Sequence, residues 1–179
     1  VCGEGLQHYW KKMSDVVCSD IVCINQKISL FPKNEVPLTF DGSGFAKYPK
    51  TISPSVAKLF GYVHFHGRLD GDLIKVNLTG KHRDNFCSLV KDLFAETVID
   101  LGEVTPLALE NTKYKEFFKS FDYRISEVEP KYIPYAILQS TKESVKAYVE
   151  GIFANYNSTP IGIGLELKSG QMATQLQLL

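Results

Sequence analysis

The residues in this chain best able to do chemistry are its histidines, and three of the four fall close together at His64, His66 and His82. His64 and His66 stand two apart in HFH, so on a helix they point to different faces and cannot chelate one ion from it. With His82 they could form a transition-metal site, since imidazole suits zinc, copper or iron, but a polar histidine at a helix interface is the favoured reading. Nearby carboxylates are Asp70 and Asp72, in the turn-forming DGD. The four cysteines are irregularly spaced, and although Cys18 and Cys23 enclose four residues, the long end of a metal knuckle's gap, no second pair follows. They read as reduced thiols of a cytoplasmic protein, and no resident cofactor is expected.

These groups need positioning elements. Ser53 is a fitting N-cap with Pro54 at the first helical position, and Val56, Leu59, Phe60 and Val63 follow as a helical stripe. Gly67 and DGD stop that helix. Leu73–Thr79 alternates as a strand, with Ile74, Val76 and Leu78 inward and Lys75, Asn77 and Thr79 on the other face. A helix from about Arg83 to Glu96 turns Phe86, Leu89, Val90, Leu93 and Phe94 inward, a hairpin is expected over Thr97–Leu109, and a short helix over Thr112–Phe121. Tyr114, Phe117, Phe118 and Phe121 read as core.

The opening helix then recurs. Ser140 with Glu143 resembles a capping box, followed by a stripe of Val145, Tyr148, Val149, Ile152 and Phe153. Gly61 and Gly151 occupy matching positions, and five residues on from each stand His66 and Tyr156. Two such helices predict a two-fold arrangement in which they abut through their glycines and their ends meet, because glycine lets backbones approach closely. An alternating strand with Ile161, Ile163, Leu165 and Leu167 inward is expected next, then a final helix capped by Ser169.

The predicted class is α+β. Residues 1–31, with the single Trp10, read as a small β segment, and 32–50, with prolines at 32, 37 and 49, as a linker. Residues 51–179 form the main domain, a first unit over 51–139 and a partial second unit over 140–179 that lacks its hairpin and closing helix.

Charge limits the function. Twenty basic and twenty acidic residues give a formal net charge of zero, whereas phosphate neutralisation supplies most of a nucleic-acid binder's affinity. Arg68, Arg83 and Arg124 are the only arginines, the usual readers of base edges. Lys11, Lys12 and Lys27 read as surface charges. Lys75, Asn77, Thr79 and Lys168 read equally well as a solvated sheet face or as residues that contact DNA, with Glu166 opposing the latter. No stretch is long and apolar enough to span a bilayer.

SPSVAKLFGYVHFHG, LIKVNL with NFCSLVKDLF, KYIPYAILQSTKESVKAYVEGIFANYNS and GIGLELKSGQMATQLQLL together resemble the LAGLIDADG homing endonucleases, in particular the dodecapeptide-type domains carried in inteins. The resemblance covers roughly residues 50–179. In that family a helix of the type LLGYLLGDG is followed later by IP, a spacer and FLRGLFDADGS, which Ile133-Pro134 and Val149–Ser158 track. WKKMSDVVCSDIVCI resembles a segment of an intein splicing domain.

The resemblance implies a saddle-shaped antiparallel sheet under two packed central helices, and ancestral double-strand DNA cleavage. Each helix of the family ends in an acid, and the pair holds Mg²⁺, a hard cation that takes oxygen ligands. Carried over, the first acid falls on His66 and the second on Tyr156, and neither is a carboxylate. Asp70 and Asp72 lie beyond a glycine and out of register. The expectation is a degenerate, cleavage-defective domain, with a non-catalytic DNA-binding regulator or a structural insert as alternatives. A splicing domain in a longer parent chain, weakly bound double-stranded DNA and a second copy of the chain are the partners this leaves open. Splicing also needs a Cys or Ser first residue and a terminal Asn after His, so with Val1 and Leu179 this polypeptide is not expected to splice by itself.

Overall fold

The computed structural model describes residues 31–100, 102, 106–123, 125, 132–155 and 169–178, together with Asp15. The chain divides into two compact units, Val1–Leu30 and Phe31–Leu179. The β segment expected over 1–31 lies outside the described residues apart from Asp15 and Phe31, as do Arg124, Tyr156, the strand over 161–167, Glu166 and Lys168.

The second unit is α+β. Helix α1, Pro54–His66, opens with the Ser53 side chain accepting the Val56 N–H. Strands β1, Gly67–Asp70, and β2, Leu73–Val76, follow as a hairpin, then α2, Lys81–Phe94. A second pair, β3, Ile99–Asp100, and β4, Leu107–Glu110, leads into α3, Asn111–Lys119. After these come α4, Tyr135–Leu138, α5, Lys142–Ile152, and α6, Gly170–Leu178. Among the described residues the strands form one antiparallel sheet in the order β1-β2-β4-β3.

Core and sheet follow from the apolar pattern. Val56, Leu59, Phe60 and Val63 of α1 are fully buried, as are Ile74 and Val76 of β2 and Leu107 of β4. Helix α1 is also buried at Ala57, Tyr62 and His64, because it touches the sheet, α2 and α5 at once. An amphipathic helix buries one stripe, so burial on nearly all sides marks α1 as the central element. Phe117 and Phe118 of α3, with Phe121 just past its end, complete this layer. Phe121 stacks on Phe60 with ring centroids 4.4 Å apart, and Phe117 meets Phe94 edge-on at 5.0 Å.

Three expectations are corrected. Helix α1 ends at Gly67 alone, and the DGD stretch turns the chain only after an unforeseen strand: β1 pairs with β2 through a two-residue turn, in which Gly71 takes a φ of +57 that favours glycine at such turns. The capping residue of α5 is Thr141, whose side chain accepts the Ser144 N–H at 3.3 Å. Ser140 instead closes the short, unforeseen α4 by donating to the Ala136 carbonyl at 2.7 Å. Residues 32–50 are not a free linker. Val36, Leu38, Phe40, Phe45 and Tyr48 pack against the core, Leu38 N–H bonds the Lys50 carbonyl, and Ile52 N–H bonds that of Val36. The prolines interrupt regular structure, but the apolar residues between them supply enough surface to bind this strap to the domain.

Candidate functional site

Helices α1 and α5 meet backbone to backbone. A Cβ built on Gly61 would collide with the Tyr148 carbonyl oxygen and sit 3.2 Å from Gly151 Cα. One built on Gly151 would lie 2.7 Å from the Lys58 carbonyl oxygen and 3.0 Å from the Tyr62 nitrogen. No larger residue fits either position while the helices stay where they are. Around this contact Lys58 pairs with Glu150 at 3.0 Å, and Ser144 Oγ donates to the Ile52 carbonyl at 2.9 Å.

The two neighbouring histidines have separate environments. His64 is fully buried among Phe60, Tyr123 and Tyr148, with Nδ1 2.7 Å from the Tyr148 hydroxyl. Its Nε2 is buried without a hydrogen-bond partner. Burial disfavours the charged ring and lowers its pKa to about 3. The Tyr148 hydroxyl is held well above the usual phenol range, by burial first and by Tyr123 second. His64 is therefore a neutral core group.

His66 closes α1 at the junction. Its Nε2 lies 2.9 Å from the Ile152 carbonyl oxygen, which can only accept, so the ring carries its hydrogen there. Asn155 Nδ2 lies 3.4 Å from Nδ1 and can only donate. Both contacts suit one neutral tautomer. Burial lowers the His66 pKa, partly offset by the backbone of Ile152 and Gly151.

Asn155 joins a third element. The other hydrogen of its amide goes to the Asn77 carbonyl at 2.7 Å, and its Oδ1 accepts from Thr79 Oγ1 at 3.4 Å. The Asn77 N–H in turn bonds the His66 carbonyl at 3.0 Å. His66, Asn77 and Thr79, which the sequence singled out separately, thus meet in one polar clasp around Asn155. Sequence reasoning missed Asn155; the signal was its place one residue before Tyr156, at a helix end where short polar side chains bond the backbone.

The remaining candidates lie apart. Lys75 pairs with Asp70 across the β1–β2 hairpin, and Asp70 stands roughly 13 Å along β1 from His66 at strand rise. Asp72 is at the hairpin turn, where its carbonyl accepts from the Asn111 N–H. His82 bonds Tyr62 rather than either histidine. Among the described residues no group of three or more His, Cys, Asp or Glu is placed to hold a metal ion. The donor set at the end of α1 does not fit Mg²⁺: an imidazole with both nitrogens in hydrogen bonds offers no oxygen ligand.

The outer sheet face is balanced in charge. Arg68 and Lys75 are cross-strand partners on it, and Asp70 and Glu110 share it through Leu73. No helix among the described residues is long and apolar enough to cross a membrane. No protein-family model and no curated protein matches the chain.

Proposed function

We propose that residues 50–179 are a LAGLIDADG-type homing endonuclease domain of the kind carried in inteins, in which a hydrogen-bonded clasp stands where the family holds its metal. DNA cleavage has been lost. The observation that carries this reading is the engagement of both His66 ring nitrogens, by Ile152 and Asn155, at the end of a helix seated glycine-to-glycine on α5. The helix contact supports the family reading, and the clasp supports the loss of cleavage. Protonating or metallating Nδ1 would require breaking the bond to Asn155.

The same reasoning favours a structural insert beside a splicing domain over a DNA-binding regulator. Arg68 and Lys75 on the sheet face are offset by Asp70 and Glu110, and the Lys75 ammonium is already paired. Neither the net charge nor the charge of this sheet face supplies the phosphate attraction that a DNA binder needs.

Incubation with supercoiled plasmid libraries in Mg²⁺ and Mn²⁺ tests the catalytic part, and duplex titration at two salt concentrations tests the binding part. The expected outcome is no cutting and no steep salt slope. Site-specific nicking would overturn the first conclusion, and tight salt-sensitive binding the second.

A further inference from the structure

Lys58, Lys81, His82, Asn85, Glu150 and Phe153 line an open cleft of about 540 Å³ on the helical side of the domain. That volume is within the range of small-molecule sites, roughly 300–1,000 Å³. Three elements build it: Lys58 comes from α1, Lys81, His82 and Asn85 from the start of α2, and Glu150 from α5, with Phe153 just after it. It shares none of the clasp's side chains.

Hydrogen bonds orient its donors. Asn85 Nδ2 donates to the Tyr62 hydroxyl at 3.2 Å, and that hydroxyl lies 3.2 Å from His82 Nδ1. Because the Asn85 amide nitrogen can only donate, the phenol hydrogen is free to go to His82 Nδ1. With that hydrogen accepted at Nδ1, the neutral His82 ring carries its own hydrogen on Nε2. Two ammonium groups, Lys58 and Lys81, face a single carboxylate, Glu150, which Lys58 engages at 3.0 Å. The cleft therefore holds one uncompensated positive charge and a directed N–H donor.

We propose that this cleft binds a phosphate dianion, either free or as the terminal phosphate of a small molecule. Lys81 supplies the uncompensated charge beside the Lys58–Glu150 pair, the His82 Nε2–H supplies direction, and Phe153 offers an apolar wall to an attached group. Charge-assisted bonds from several directions suit a tetrahedral group with several acceptor oxygens. The groups facing His82 are Lys58 and Tyr62 on α1, Lys81 and Asn85 on α2 and Glu150 on α5, and His66 feels its charge. In the absence of ligand, burial, then Lys81, then Lys58 lower the His82 pKa. A bound dianion reverses those last two effects and raises it.

The test follows the His82 ring by NMR through pH titrations of the full chain at constant ionic strength. The probes are inorganic phosphate, adenosine monophosphate, acetate and a duplex with 5′-hydroxyl ends. The expected result is a higher His82 pKa with phosphate and with the nucleotide, and none with acetate or duplex. Tighter nucleotide binding assigns an organic monoester; equal or tighter phosphate binding assigns the free ion. Lys81→Ala, at an exposed position, weakens either by roughly tenfold, the size of one charge-assisted contact. An unmoved His82, an equal response to acetate or to duplex, or wild-type affinity in Lys81→Ala overturns the proposal.

Discussion

The His66 ring donates from Nε2 to the Ile152 carbonyl at 2.9 Å, tying the last residue of α1 to the last residue of α5. This bond and the Gly61–Gly151 contact hold the same two helices at two levels. The glycines set the distance between the helices, and His66 joins their ends.

Gly61→Ala and Gly151→Ala are expected to destabilise the domain by about 1–3 kcal/mol each, despite alanine's advantage of about 1 kcal/mol within a helix. The reason is that each new methyl meets backbone of the facing helix, which cannot rotate away. The double variant should cost less than the sum, since one displacement of α5 relieves both clashes. Urea denaturation measures this, and unchanged midpoints would show that the helices do not meet as described.

Stability should fall on acidification because of His64. Its folded pKa of about 3 lies below the ordinary 6.5, so the unfolded chain takes up the proton first. The contribution is complete above pH 6.5 and lost as the pH falls toward 3, on the order of 5 kcal/mol across that window. His66, lowered by burial as well, adds in the same direction. Replacing His64 with Phe should flatten the stability profile over this range, and a profile as steep as wild type would rule His64 out as the source.

Tyr148→Phe removes the hydroxyl beside His64 Nδ1 and leaves a second buried ring nitrogen without a partner. A loss of about 1–3 kcal/mol is expected. Chemical denaturation at neutral pH reads it, where His64 is neutral and titration does not contribute.

His66→Asp sets a carboxylate against the Ile152 carbonyl in place of a donor and should cost about 1–3 kcal/mol. Asn155→Ala, at an exposed position, should cost about 1 kcal/mol through the bond to the Asn77 carbonyl. Combined with Tyr156→Asp, His66→Asp should raise Mn²⁺ affinity by calorimetry. No gain in metal affinity would count against the proposed alignment with the homing endonucleases.

Phe45→Ala is the test of the strap. The Phe45 ring lies 4.8 Å from that of Phe94 and 5.0 Å from that of Tyr114, so its truncation should cost about 2 kcal/mol, less than for a fully buried ring. A free linker would show no change in melting temperature.

Period and punctuation carried much of this fold. Ser53-Pro54 started α1, the stripe of Val56, Leu59, Phe60 and Val63 named its buried side, and the alternation of Ile74 and Val76 named the inner face of β2, although the strand ends at Val76 and not at Thr79, with Leu78 buried beyond it. Such signals are local, set by backbone geometry and solvent over a few residues. Matching Gly61 with Gly151 was also legible, because the motif repeats.

Only the tertiary structure decided which polar groups found one another. Asn155 had no pattern of its own until α5 set it between His66 and Asn77, 78 residues from the latter. The strap of residues 32–50 read as a linker because prolines mark local chain breaks, whereas Phe40 and Phe45 are held by rings far along the chain. His64 and His66, alike in sequence, parted because one faces a helix interface and the other a helix end. Burial and hydrogen-bond partners depend on where distant segments pack, and no short window of residues contains that information.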